Sequence, residues 1–261
     1  MFKAFNYSPT NSFYNSTLNK HLNSGRDIYN THKKSVQRCL DKYISEDGVI
    51  NGTELKENWF SVDKTDVFIS HSHKDIDKVK AFAGWLSDIF GLTSFVDSCA
   101  WGYCDELLRA IDNKYCYDKK KGTYNYNLRN YTTAHVHMML STALIEMMDR
   151  SECLIFFNTP NSIIMKDELG RITKKEKTTS PWIMYELTMV SKMNVNLPER
   201  MRKELSHFDS RGKEFGVEYD VSKVLDTIPK LTDGQLKELE KKHRINNSAL
   251  DELYEITREN R

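Results

Sequence analysis

The sequence predicts an α/β domain built on a parallel sheet with helices on both faces. Short apolar runs of β type (TDVFIS, LTSFVD, CLIFFN) alternate with stretches of helical period, the rhythm of strand–helix–strand units. CLIFFN is apolar at every position but the last, as a strand covered on both sides must be. Helix-start signals stand between the runs and the helical stretches, at Ser72 and at Ser180-Pro181. Ligands of such sheets bind beyond the carboxyl ends of the strands, so the loops after the runs matter most.

Residues 1–62 begin polar and Asn-rich, pass through a helical segment, THKKSVQRCLDKYI, and turn at EDGVINGT. They are expected to form a helical N-terminal extension. TDVFIS is the first strand. The helix after it spaces Ile76, Val79, Phe82, Leu86 and Ile89 by three or four, with a capping box from Ser72 to Asp75 and Gly91 as the stop. LTSFVD is the second strand, followed by a loop, SCAWGYC, containing Gly102, and a short helix with Leu107, Leu108 and Ile111 on one side.

The stretch 113–130 is polar, tyrosine-rich and without a period, which reads as an inserted surface loop. A helix then carries Val136, Met139 or Leu140, Ala143 and Met147 on one face and feeds CLIFFN, the expected central strand. KDELGRITKKEKTT reads as a charged loop. In the helix from Trp182, Ile183, Leu187 and Val190 form a core stripe. Trp182, Glu186, Met189 and Met193 form an adjoining stripe, apolar except for one carboxylate. A buried unpaired charge is expensive, so Glu186 needs an explanation.

KEFGVEYDV alternates as an edge strand does. From Thr232 a second capping box, Thr232 to Gln235, opens a charged helical tail. The expected organisation is a helical extension at 1–62, an α/β domain at 63–225 with its insertion at 113–130, and a helical extension at 226–261.

Composition narrows the function. Thirty-eight Lys and Arg nearly cancel 37 Asp and Glu, and a net charge of +1 gives no overall basic field for nucleic acid or an anionic membrane. No apolar run approaches the roughly 20 residues that span a bilayer, and the N-terminus lacks a signal peptide's apolar stretch. A cytoplasmic location is expected. Five cysteines without a C-x-x-C pair signal neither a disulfide framework nor a zinc ribbon. Cys116 with His135 and His137 lacks a fourth ligand, and no metal is expected.

Taken together and in order, DVFISHSHKD, FVDSCAWG with its L-L-x-x-I helix, CLIFFNTP and SPWIMYEL resemble a Toll/interleukin-1 receptor (TIR) domain over roughly 63–195. The resemblance is to bacterial members, such as the NAD-processing component of Thoeris-type antiphage defence. It implies a flavodoxin-like sheet and cleavage of NAD⁺ at the nicotinamide–ribose bond by the glutamate of a W-x-x-x-E motif, here Glu186. NAD⁺ is then substrate, and no cofactor is implied. The resemblance also places the dinucleotide by Ser70, His71 and Ser72, makes Asp97 to Gly102 a loop that gates the pocket and mediates assembly, and puts self-association at Cys99–Cys104. A separate effector would respond to the product.

The chemistry needs little more. Nicotinamide leaves as a neutral molecule, so no general acid is required, and one carboxylate beside the ribose can stabilise the developing cation. Glu186 next to Trp182 suits that role. As alternatives, Glu186 is a solvated acid or a partner of Lys192 or Arg200, and Trp182 is core. Ser72 is equally a plain helix cap, Gly102 serves a positive φ, and Trp101 stacks on adenine or on a neighbouring subunit. A scaffold that only recruits partners is the competing function.

Overall fold

The computed structural model describes residues 1–34, 40–60, 64–166, 172–193, 195, 198, 200 and 219–257. Its centre is a five-stranded parallel sheet flanked by helices. The N-terminal segment corrects the expectation of a purely helical extension. Lys3–Tyr7 is strand β1, paired along its length with the later CLIFF strand. Phe5 and Tyr7 point into one core layer and Ala4 into the other, which lets so short and polar a segment sit inside the sheet.

A helical run follows, comprising α1 (Asn11–Phe13), single turns over Tyr14–His21, and α2 (Leu22–Lys34). Most of the helix expected over THKKSVQRCLDKYI lies outside the described residues or is a short turn at Leu40–Tyr43. The turn before α3 (Gly52–Trp59) forms as expected, with Gly48 at φ +83°.

Strand β2 (Val67–His71) runs into α4 (Ile76–Phe90), which ends on Gly91 at φ +66°. Ser72 does cap the turn before α4, yet its side chain makes no capping bond. Asp75, expected to complete a box with it, is buried and instead accepts from Thr159 Oγ1 (2.5 Å) and Asn161 Nδ2 (2.9 Å). Two tertiary donors have displaced a local one.

Helix α2 crosses α4 at two glycines. A Cβ on Gly25 would lie 1.7 Å from the Lys80 carbonyl oxygen, and one on Gly84 would lie 2.2 Å from that of His21. Only backbone without side chains fits there.

After β3 (Ser94–Val96) the chain is helical at once. Helix α5 (Ser98–Ile111) takes in the segment expected as a loop, and Gly102, with no positive φ, is an ordinary exposed helical residue. The insertion is structured too: β4 (Tyr117–Asp118) and β5 (Thr123–Tyr124) form a hairpin, and α6 (Tyr126–Arg150) begins before the expected helix start, capped by Asn125.

Strand β6 (Cys153–Phe157) is the middle of the five, buried at every residue. The charged segment expected as a loop contains β8 (Ile172–Thr178), which with β7 (Ile164–Lys166), ending at its first residue, and β9 (Tyr219–Asp220) forms a small antiparallel sheet. Of the expected edge strand 213–221, residues 213–218 lie outside the described residues. Helices α7 (Pro181–Val190) and α8 (Ser222–Thr227) precede β10 (Lys230–Leu231), which pairs with β1 at the sheet edge. The C-terminal segment is therefore part of the sheet as well as helical. Its helices α9 (Asp233–Lys241) and α10 (Asn247–Ile256) follow, with the Thr232–Gln235 capping box intact.

The strand order is β10-β1-β6-β2-β3. One layer of core joins the sheet to α3, α5, α6, α7 and α8, the other to α1, α4, α9 and α10. Strand β6 leads toward α7 on the first face, whereas β1 and β2 lead to α1 and α4 on the second. Opposite exits from neighbouring strands open a crevice at their carboxyl ends. No helix among the described residues is long and apolar enough to cross a membrane.

Candidate functional site

Helix α7 starts as the sequence dictates: Ser180 Oγ accepts from the Ile183 amide at 3.3 Å, and Pro181 takes the first turn. That start sets the helical phase. Ile183 and Leu187 enter the core, and Glu186 between them is turned toward the end of β2, fully buried. Ser70 Oγ donates to Glu186 Oε2 at 2.6 Å, and the Glu186 carboxyl also shares a hydrogen bond with that of Asp97. The alternative of a solvated acid is thus corrected, as is pairing with Arg200, which holds Glu152 and Asp251.

Three further groups meet at the end of β2, of which Asp97 acts on Glu186 directly. His71, the last residue of β2, donates its amide to Asp97 Oδ2 at 3.1 Å, and its Nδ1 lies against Asp97 Oδ1. Both side chains are fully buried. Trp101, on the first turn of α5, stacks on the His71 ring at 6.2 Å between centroids and 8° between planes.

Burial pushes the Glu186 carboxyl well above the ordinary range, and the Asp97 charge raises it further, against the Ser70 hydrogen bond. This answers the cost of a carboxylate on an apolar stripe, because the protonated form is favoured. Two adjoining carboxyl groups, a serine hydroxyl and an imidazole can hold and pass a proton.

The linkage has a definite sign. Above the unfolded-chain value of about 4.3 the folded protein keeps a proton that the unfolded chain has lost, so stability falls as pH rises toward the folded value. Glu186→Gln removes that slope, at most about 1.4 kcal/mol per pH unit. Its melting temperature is expected to gain on the wild type progressively above about pH 4.3. A difference independent of pH between 4 and 8 would show the carboxyl to be unshifted.

The remaining expected residues are placed less closely. Ser72 is half-buried and makes no side-chain cap bond. Trp182, half-buried, meets the edge of His137 at 5.6 Å between ring centroids. Gly102 has open space around it. In the segment Cys99–Cys104, Cys99, Tyr103 and Cys104 are core, so only Trp101 and Gly102 reach the surface. Cys116 is buried beside Thr132, and His135 packs against Tyr131.

A cleft of about 780 Å³ opens over the carboxyl ends of β1 and β6. Ser8, Asn11, Lys78, Asn158, Thr159 and Glu176 supply its polar wall, while Glu186 does not line it. Asp75 sits behind Thr159, fixing that rim. Sequence reasoning passed over these groups, although Asn, Thr, Pro and Asn at 158–161, directly after an apolar strand, are a readable loop signal. Compared with protein-family models, curated proteins and solved structures, the chain matches none.

Proposed function

We propose that the chain is a TIR-type enzyme that cleaves NAD⁺ at the nicotinamide–ribose bond, with Glu186 as the stabilising carboxylate. The observation that carries this reading is the convergence of Ser70, His71, Asp97, Trp101 and Glu186 at the carboxyl ends of β2 and β3 in a parallel sheet. That is where α/β sheets hold ligands, and buried ionisable groups of this kind concentrate at active sites. Glu186 would have to be uncovered for substrate to reach it. Displacement of Trp101 and the first turn of α5 would supply such an opening, since Trp101 stacks over His71. Once uncovered and ionised, Glu186 meets the cationic ribose in a site poor in water, where one charge is worth most.

Capture of the ribose by water gives ADP-ribose; capture by a hydroxyl gives a cyclic or conjugated signal suited to a separate effector in antiphage defence. The proposal takes the second course. Self-association would use Trp101 and Gly102, the surface part of the 99–104 segment. The decisive experiment is incubation with NAD⁺, alone and with infected-cell extract, and resolution of products by mass spectrometry. Nicotinamide with a cyclic or conjugated ADP-ribose is the expected result. Free ADP-ribose alone leaves a hydrolase, and intact NAD⁺ under both conditions removes the enzymatic reading.

One observation favours a second reading. Glu186 is fully buried with its polar load met by Ser70 and by protonation, as in a carboxyl kept for packing, and the chain would then be a non-catalytic scaffold.

A further inference from the structure

The hairpin and the start of α6 stand away from both core layers, with every residue from Lys119 to Tyr131 exposed. The hairpin turn is tightly specified. Asp118 Oδ1 accepts from the Lys120 and Lys121 amides at 2.9 and 3.2 Å, and Gly122 takes φ +65°. Fixing the turn in this way directs Lys119, Lys120 and Lys121 outward, and none of them has an ion pair among the described residues. The other cations nearby are engaged: Lys114 with Asp41, and Arg129 with Asp112 at 2.8 Å.

Aromatic rings surround this charge. Tyr117 and Tyr124 pair across the hairpin at 5.1 Å between centroids, and the Arg129 guanidinium lies over the Tyr124 ring at 5.2 Å. Tyr126 and Tyr131, on the first turns of α6, are 76% and 66% exposed. Single exposed rings are ordinary, but Tyr117, Tyr124, Tyr126 and Tyr131 are all exposed on this one arm, and an exposed patch of this kind marks an interaction surface.

We propose that this arm binds single-stranded nucleic acid, the lysines on phosphates and the exposed tyrosines against unstacked bases. A phosphodiester chain uses both features together, since every base offers a π face and every link a charge. An acidic peptide would use the lysines and leave the rings idle. The near-neutral charge of the whole chain conceals the patch, because the remaining residues carry the compensating acids. The arm does not touch Glu186, so this binding is independent of NAD⁺ cleavage.

The test is fluorescence anisotropy of the full chain with labelled single-stranded DNA and RNA 12-mers at increasing salt. Binding is expected with a log–log salt slope near −2, as about three phosphate contacts require. The triple variant Lys119→Glu, Lys120→Glu, Lys121→Glu should lose at least about tenfold, and Tyr126→Ala with Tyr131→Ala about tenfold or more from lost stacking. These surface variants should melt with the wild type, and Glu186→Gln should bind as the wild type does. No binding at low salt overturns the proposal. So does binding that ignores the tyrosine changes, competition by polyglutamate as strong as by oligonucleotide, or capture by phosphatidylserine vesicles in place of oligonucleotide.

Discussion

Glu186→Gln is expected to lower NAD⁺ cleavage by about 10²–10³-fold while the protein folds and melts at or above the wild-type temperature. The size follows from the work asked of the group. In the proposed reaction nicotinamide departs unaided by an acid and the barrier lies in positive charge on the ribose, so removing the carboxyl that ionises to meet it should cost what removal of other electrostatic stabilisers costs. The fold should survive because glutamine keeps the shape and still accepts from Ser70, whose hydroxyl reaches Oε2 at 2.6 Å. The same chemistry sets a pH profile. Only the ionised carboxyl stabilises a cation, and burial beside Asp97 holds Glu186 well above the ordinary carboxyl range, so turnover should rise with pH through that raised value. Full turnover by a folded Glu186→Gln protein would remove the residue from the chemistry and leave the scaffold reading.

Gly84→Ala should be among the most damaging single methyl additions in the molecule. Its Cβ would meet the His21 carbonyl oxygen at 2.2 Å and the Gly25 amide nitrogen at 2.6 Å, both backbone atoms that no rotamer change can move. Helices α2 and α4 must then separate, opening the layer that holds Phe82, Trp85 and Phe90. Overpacking of this kind costs about 3 kcal/mol or more, a drop on the order of 10 °C in melting temperature for a chain of this size. Gly25→Ala, with its Cβ 1.7 Å from the Lys80 carbonyl oxygen, should behave alike. The two changes together should cost less than their sum, since the first already forces the helices apart. Thermal melts of the two single variants and the double variant decide it. Gly102→Ala, at an exposed helical position with nothing within 4 Å, is the internal control and should be neutral or mildly stabilising.

The sequence by itself determined those elements whose signals are local. An unbroken apolar run made β6 central, Gly91 stopped α4, Ser180 and Pro181 set the start of α7, and Thr232 with Gln235 set that of α9. It also singled out Glu186, because one carboxylate on an apolar stripe is visible in the spacing alone. Tertiary structure decided the rest, for a common reason: the deciding partner lies far along the chain. KAFNY is too short and too polar to announce a strand, and it becomes one by pairing with Cys153–Phe157, some 150 residues away. Asp75 abandoned the local cap for Thr159 and Asn161. Residues 98–104 carry a glycine that reads as a loop, yet packing of Cys99, Ala100 and Tyr103 into the core made them helix. Whether Glu186 faced water or protein was equally beyond periodicity. Ser70, 116 residues earlier, and Asp97 closed over it, and that enclosure set its protonation.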